Sequence, residues 1–202
     1  MLDAILCPEW QFRYYSFNSK WSRGKQMGSM RDGQGDDLFA LFNKHGCFLK
    51  GFAHEAEMSP YRDDGSKRLW PGVLDSVPDC FSDGLDEPAF SMEDTTFCIW
   101  RRYRDRKWHR GDIKFPKGND SDGSRELLSP LDGNPRTYLK WAHDYFDLAD
   151  AEHCLYIEHV RHVYAHKPLT AALVEEINPE VTLKALAADI AEIGYPAARG
   201  KK

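Results

Sequence analysis

Hydrophobic positions along this chain change their spacing once, from a period of two to a period near 3.6. Between 36 and 54 it reads DDLFALFNKHGCFLKGFAH, two runs rich in Phe and Leu around the polar break Asn43-Lys44-His45-Gly46. Glycine enters the backbone angles of a tight reversal without steric cost, so the pattern predicts a β-hairpin. In the first run Leu38, Ala40 and Phe42 alternate with Phe39 and Leu41, making both faces apolar and predicting a central strand covered on two sides. A second hairpin is expected from the β-branched and aromatic run 95–103, with a turn at 104–107 and a return over 108–115. The aromatic run 11–17 predicts a first strand, and the polar, glycine-rich 19–37 a loop. Residues 62–69 read as a charged surface loop, Trp70-Pro71-Gly72 as a turn, and Pro78 as the opening of a short helix carrying Cys80, Phe81 and Leu85.

After a loop at 117–124 the period lengthens. Asn134-Pro135 is an N-cap followed by proline at the first helical position, and Tyr138, Trp141, Tyr145 and Leu148 recur at spacings of three and four. Further helices are expected within 150–166, from Thr170 to about Ile177, and from Asn178-Pro179 to the stop at Gly194, the last with Leu183, Leu186, Ile190 and Ile193 as its buried stripe. The tail from 197 is expected to fray. Strands first and helices afterwards predict an α+β fold: an antiparallel sheet built from hairpins over about 10–116, with C-terminal helices over about 134–194 packed against it. A single domain over 1–202 is the expectation. The alternative is a sheet domain ending near Ser124 with a separable helical module.

Composition adds that this is a folded chain. Its 202 residues are 42% hydrophobic and 13% aromatic, which rules out a disordered polymer. Cysteines at 7, 47, 80, 98 and 154 are odd in number and form no Cys-x-x-Cys pair, so reduced thiols and a cytoplasmic location are expected. No segment resembles a signal h-region or approaches 18 apolar residues, so no membrane partner is expected.

Charge changes the picture through its distribution rather than its net value of −5. Asp75, Asp79, Asp83, Asp86, Glu87, Glu93 and Asp94 form a run without Lys or Arg. Directly after it, Arg101, Arg102, Arg104, Arg106, Lys107, Arg110, Lys114 and Lys117 face only Asp105 and Asp112. The two blocks either neutralise one another across the fold or present two patches to different surroundings. The acidic run, with Trp70, Phe81 and Phe90 as apolar anchors and Asp79, Asp83, Asp86 and Glu87 steering encounter, is a candidate protein-binding surface. The basic block interleaves Trp100, Tyr103 and Trp108 with Arg101, Arg102, Arg104, Arg106, Lys107 and Arg110, as a nucleic-acid face would. The acidic total and the neighbouring acids make nucleic acid the weaker expectation.

Candidate chemistry is sparse. His54-Glu55-Ala56-Glu57-Met58 begins like a zinc-protease helix, but Met58 stands where the second histidine must be. Asp32, Gln34 and Asp36 alternate as in a calcium loop, but Asp37 and Asn43 fall where that loop needs Gly and Glu, so a solvated turn is expected. His159, His162 and His166 share one face of a helix at spacings of three and four, with Glu158 and His153 nearby; without an evident fourth ligand a polar helix face is expected. No phosphate-loop, dinucleotide or nucleophile-elbow motif occurs, so no cofactor, metal or catalytic residue is assigned. Glu55, Glu57, Glu93 and Asp94 are carboxylates without a companion nucleophile.

The phrases Lys50-Gly-Phe-Ala-His-Glu-Ala-Glu-Met-Ser-Pro and Glu93-Asp-Thr-Thr-Phe-Cys-Ile-Trp resemble those of a group of bacterial proteins with no assigned active site, over residues 12–145. More loosely, the chain is similar in class to immunity proteins of polymorphic toxin systems: acidic, α+β and free of catalytic signatures. It lacks the helix-first opening of the immunity superfamily that includes yeast cell-wall regulators. That resemblance implies a non-enzymatic cytosolic module that binds and blocks a toxin or effector domain. The alternative is an enzyme or nucleic-acid-processing protein using His54, Glu55 and Glu57 or the basic second hairpin.

Overall fold

A computed structural model describes residues 1–62, 66–148 and 154–197. It has an α+β fold whose centre is the hairpin of β3 (Asp37–Asn43) and β4 (Gly46–Phe52). Around it a six-stranded sheet runs in simple chain order, with β1 (Tyr15–Ser22), β2 (Lys25–Arg31), β5 (Phe97–Arg102) and β6 (His109–Arg110). The ladders from β2 to β6 are antiparallel, and β3 lies between β2 and β4 as its two apolar faces require. Gly46 has φ +154°, and a Cβ there would stand 2.1 Å from the Arg101 carbonyl oxygen. The turn therefore needs glycine for close approach to β5 as well as for its angle.

Contacts divide the chain into two compact units, one of residues 20–128 and one of residues 1–19 with 129–202. In the first, Met27, Phe39, Leu41, Phe48, Cys98 and Trp100 form one face of the sheet. That face is closed by Phe81 and Phe90, both with no exposed surface. Phe81 sits on a 3-10 turn (Asp79–Phe81) leading into α2 (Ser82–Leu85), and Phe90 on another (Pro88–Phe90). Phe90 stacks on Phe39 with ring centroids 4.9 Å apart. Gly84 lies where a Cβ would come within 2.6 Å of the Phe48 ring, which lets α2 approach the sheet closely. The unit ends in α3 (Ser124–Leu128).

The second unit is helical. It contains α1 (Leu2–Leu6), α4 (Pro135–Tyr145), α5 (Ile157–Tyr164), α6 (Ala171–Ile177) and α7 (Ala187–Ile193) around a core that includes Ile5, Ala142, Val160, Val174 and Ile177. The expected caps are present. Asn134 accepts a hydrogen bond from the Arg136 N–H, Thr170 accepts one from the Leu173 N–H, and Gly194 ends α7 at φ +70°. The buried Asp3 carboxylate accepts hydrogen bonds from the Tyr138 hydroxyl (2.7 Å) and the Tyr15 N–H (2.8 Å). Arg13 pairs with Asp189. No helix among the described residues is long and apolar enough to cross a membrane.

Several expected elements shift. The first strand begins at Tyr15, because residues 10–12 form a 3-10 turn. Within the expected loop lies β2, a polar, glycine-containing strand whose Met27 and Met30 are buried by pairing with β3. The return of the second hairpin shrinks to β6, and α7 starts at Ala187 rather than after Pro179. α1 and α3 have no counterpart among the expected elements. The middle of the expected loop at 62–69, His153, and the tail from 198 lie outside the described residues.

Candidate functional site

The register Gly46↔Arg102 brings the β3–β4 and β5–β6 turns side by side, and the Tyr103 N–H donates to the His45 carbonyl at 2.9 Å. Lys44 and His45 of one turn thereby join the basic block of the other. The Asn43 side chain shapes the first turn: its oxygen accepts from the N–H groups of His45 (2.8 Å) and Gly46 (3.3 Å). Asp105 shapes the second, accepting from the Arg102 backbone N–H (2.9 Å) and Nε (3.3 Å). These bonds hold the Asp105 carboxyl below its ordinary range.

Arg101, Arg102, Arg104, Arg106, Lys107 and Arg110 are all exposed. Arg101 donates to the Asp105 carbonyl (3.1 Å), and the Arg110 guanidinium lies 4.5 Å from the centre of the Phe115 ring. Lys44, Arg104, Arg106 and Lys107 have no side-chain partner among the described residues. Two rings stand among these cations, Tyr103 at 74% exposure and Trp108 at 43%. They border two adjoining recesses. One, of about 280 Å³, is lined by Phe42, Gly46, Cys47, Arg101, Arg102, Tyr103 and Trp108. The other, of about 470 Å³, is lined by Lys44, His45, Arg102, Tyr103, Arg104 and Asp105. Arg102 and Tyr103 are common to both.

The acidic segment lies close behind this end of the sheet. The Asn43 side-chain amide donates to the Cys80 carbonyl at 2.8 Å, and Lys25 pairs with Asp83 at 2.5 Å. Asp79 and Asp86 are exposed, and Glu87 accepts from the Trp21 indole N–H (3.3 Å) and the Ala89 N–H (3.2 Å). Phe81 and Phe90 are corrected as surface anchors: the apolar face of β3 and β4 needs a cover, and they supply it from the interior. Trp70 is half-buried, donating to the Lys114 carbonyl (3.0 Å) with the Arg62 guanidinium 5.0 Å from its ring centre. Among the described residues no ion pair joins the acids at 79–87 to the bases at 101–110. Instead Lys67 meets Asp94 (2.8 Å) and Glu93 (3.7 Å).

His54, Glu55 and Glu57 lie at the opposite end of the same strands. The Asp36 carboxylate accepts both the His54 backbone N–H (2.8 Å) and Nδ1 (2.6 Å), which favours the imidazolium and raises the His54 pKa above 6.5. Glu55 Oε1 is 3.7 Å from His54 Nε2, and Glu57 is exposed. No hydroxyl or thiol bonds the imidazole among the described residues. Asp32 spends one oxygen on the N–H groups of Gln34, Gly35 and Asp36, the mark of a side-chain-stabilised turn. Lys50, fully buried on β4, donates to the Asp94 carbonyl (2.7 Å) and pairs with Asp37 (2.8 Å). Burial lowers its pKa and the Asp37 charge opposes that shift.

The histidine trio does not converge. α5 ends at Tyr164, leaving His166 beyond it at φ +50° beside the Tyr195 ring. His159 is buried with Nε2 3.3 Å from Glu176, and His162 Nε2 is 2.9 Å from the Pro168 carbonyl. Among the described residues no group of three His, Cys, Asp or Glu side chains is placed to hold a metal ion. Residues that sequence reasoning did not assign to a site are Phe42, Lys44, His45 and Cys47. Their polar turn was legible, but its neighbour across the sheet depends on strand register.

No family model, no curated protein and no solved structure matches this chain.

Proposed function

We propose that this chain is a non-enzymatic protein-binding module whose contact surface is the end of the sheet where the two turns meet. The observation that carries this is the exposure of Tyr103 and Trp108 beside Lys44, Arg104, Arg106 and Lys107, which have no side-chain partner among the described residues. Tyr, Trp and Arg are the side chains enriched where protein interfaces concentrate their binding energy. A ring left 74% in water makes little use of its apolar surface within the fold.

Alternating charge favours a protein over a nucleic acid. Asp79, Asp83 and Asp86 belong to the segment tied to the basic turn through Asn43 and Cys80. Exposed carboxylates on that segment oppose a uniformly anionic strand over separations of up to about one Debye length, roughly 8 Å at physiological salt. A protein carrying both signs can match both patches. The finer reading, an immunity-type protein that occludes a toxin or effector domain in the cytoplasm, rests on resemblance of class alone. The test is capture of partners from the protein's own cells at physiological salt, with the wild type and with a Tyr103→Ala, Trp108→Ala double variant. A single stoichiometric protein lost in the variant supports the reading. Equal capture by both, or no partner with either, overturns it.

A further inference from the structure

We infer that this surface recognises an acidic segment carrying one large aromatic side chain, with the ring and the carboxylates taken up by different recesses. The inference rests on the proposed binding role and names the partner's chemistry. The recess of about 280 Å³ has Phe42, Trp108 and the Cys47 thiol among its walls. Burial pushes that thiol up to about 12, so it presents a neutral, weakly polar surface. It therefore suits an apolar ring, with Arg101 and Arg102 at its rim able to stack on the ring's face. The adjoining recess of about 470 Å³ is lined by Lys44, His45, Arg102 and Arg104, against which Asp105 is the one acid.

Asp105 is already engaged by Arg102 and lies 3.6 Å from His109 Nε2. Lys44 and Arg104 have no partner among the described residues. A carboxylate entering this recess meets two such cations, and guanidinium forks bind carboxylates in two-point fashion. Tyr103 forms part of both linings, so ring and carboxylates must be close together in the ligand.

The test is titration of the full-length protein into a fluorescein-labelled peptide containing one tryptophan followed by glutamates, read by anisotropy. Matched probes replace the tryptophan by alanine or the glutamates by glutamine, and a mixed-sequence single-stranded oligonucleotide serves as the polyanion control. Saturable binding of the acidic tryptophan peptide is expected. It should weaken about tenfold or more with either peptide change and with either Trp108→Ala or Arg104→Glu, at unchanged circular dichroism. Absence of binding at millimolar peptide, indifference to both protein variants, or tighter binding of the oligonucleotide overturns the inference. If cellular capture depends on Tyr103 and Trp108 but these peptides fail, only the partner's chemistry is wrong. If capture is also independent of those rings, the binding role itself falls.

Discussion

Removing one partner of the Lys50–Asp37 pair should cost the sheet far more than removing both. Lys50 Nζ has no exposed surface, with Asp37 at 2.8 Å, the Asp94 carbonyl at 2.7 Å and the Phe39 ring centre at 5.4 Å. In Asp37→Asn the ammonium keeps acceptors but loses its counter-charge. Its escape is to lose a proton, which from an ordinary lysine value of 10.5 costs about 5 kcal/mol at pH 7, at about 1.36 kcal/mol for each pH unit. That sum bounds the loss from above, and breaking a buried pair ordinarily costs roughly 3–5 kcal/mol. Lys50→Met retains the stem against Phe39 and strands Asp37 instead. The Asp37 side chain is 23% exposed and can recover some hydration, so about 3 kcal/mol is expected. The double change Lys50→Met with Asp37→Leu should come within about 1 kcal/mol of the wild type, because it leaves no buried charge unpaired. Native-state hydrogen exchange at the Leu41, Phe48 and Trp100 amides reads the opening of this sheet directly, and 3 kcal/mol appears as about two decades of faster exchange. A Lys50→Met cost below about 1 kcal/mol, or a double variant no better than the worse single one, would refute the reasoning.

Three further outcomes follow from the same geometry. Gly46→Ala should destabilise the sheet by about 2 kcal/mol through strain against the Arg101 carbonyl, measured by the same exchange; an unchanged rate would show that the turn relaxes without cost. The His54 imidazole should titrate above 6.5 by NMR and fall back in Asp36→Asn. Because its folded value is raised, the stabilisation it contributes is present below the unfolded value and is lost as pH rises through the folded one; a midpoint at or below 6.5 contradicts the bond. Burial pushes the Cys98 thiol up to about 12, so a thiol-directed reagent should label exposed Cys154 first and Cys98 only as the sheet opens, a sequence that peptide mapping checks.

The candidate surface was half legible. The basic block with Trp108 and Tyr103 stands in the sequence as plainly as any motif here. Its partner turn, Lys44 and His45, does not, because which turn meets which depends on a register more than fifty residues away. The anchors Phe81 and Phe90 were misplaced for a related reason. A short apolar residue pattern on an acidic segment reads the same whether it faces a partner or the protein's own sheet. The histidine trio failed on a boundary: α5 stops at Tyr164, two residues short of the position that would have aligned His166.

By itself the sequence determined the elements whose cause is local. The β3–β4 hairpin follows from alternation and Gly46, α4 and α6 from Asn134-Pro135 and Thr170, and the end of α7 from Gly194. Each depends on side chains within a few residues, acting through backbone angles and capping bonds. Tertiary structure alone decided what has a distant cause. Polar β2 is a strand because β3 offers it a ladder, and the Lys50 side chain is accommodated in the interior by Asp37 and by the carbonyl of Asp94, forty-four positions on. Burial and pairing across such separations depend on which faces meet, and no local pattern encodes that.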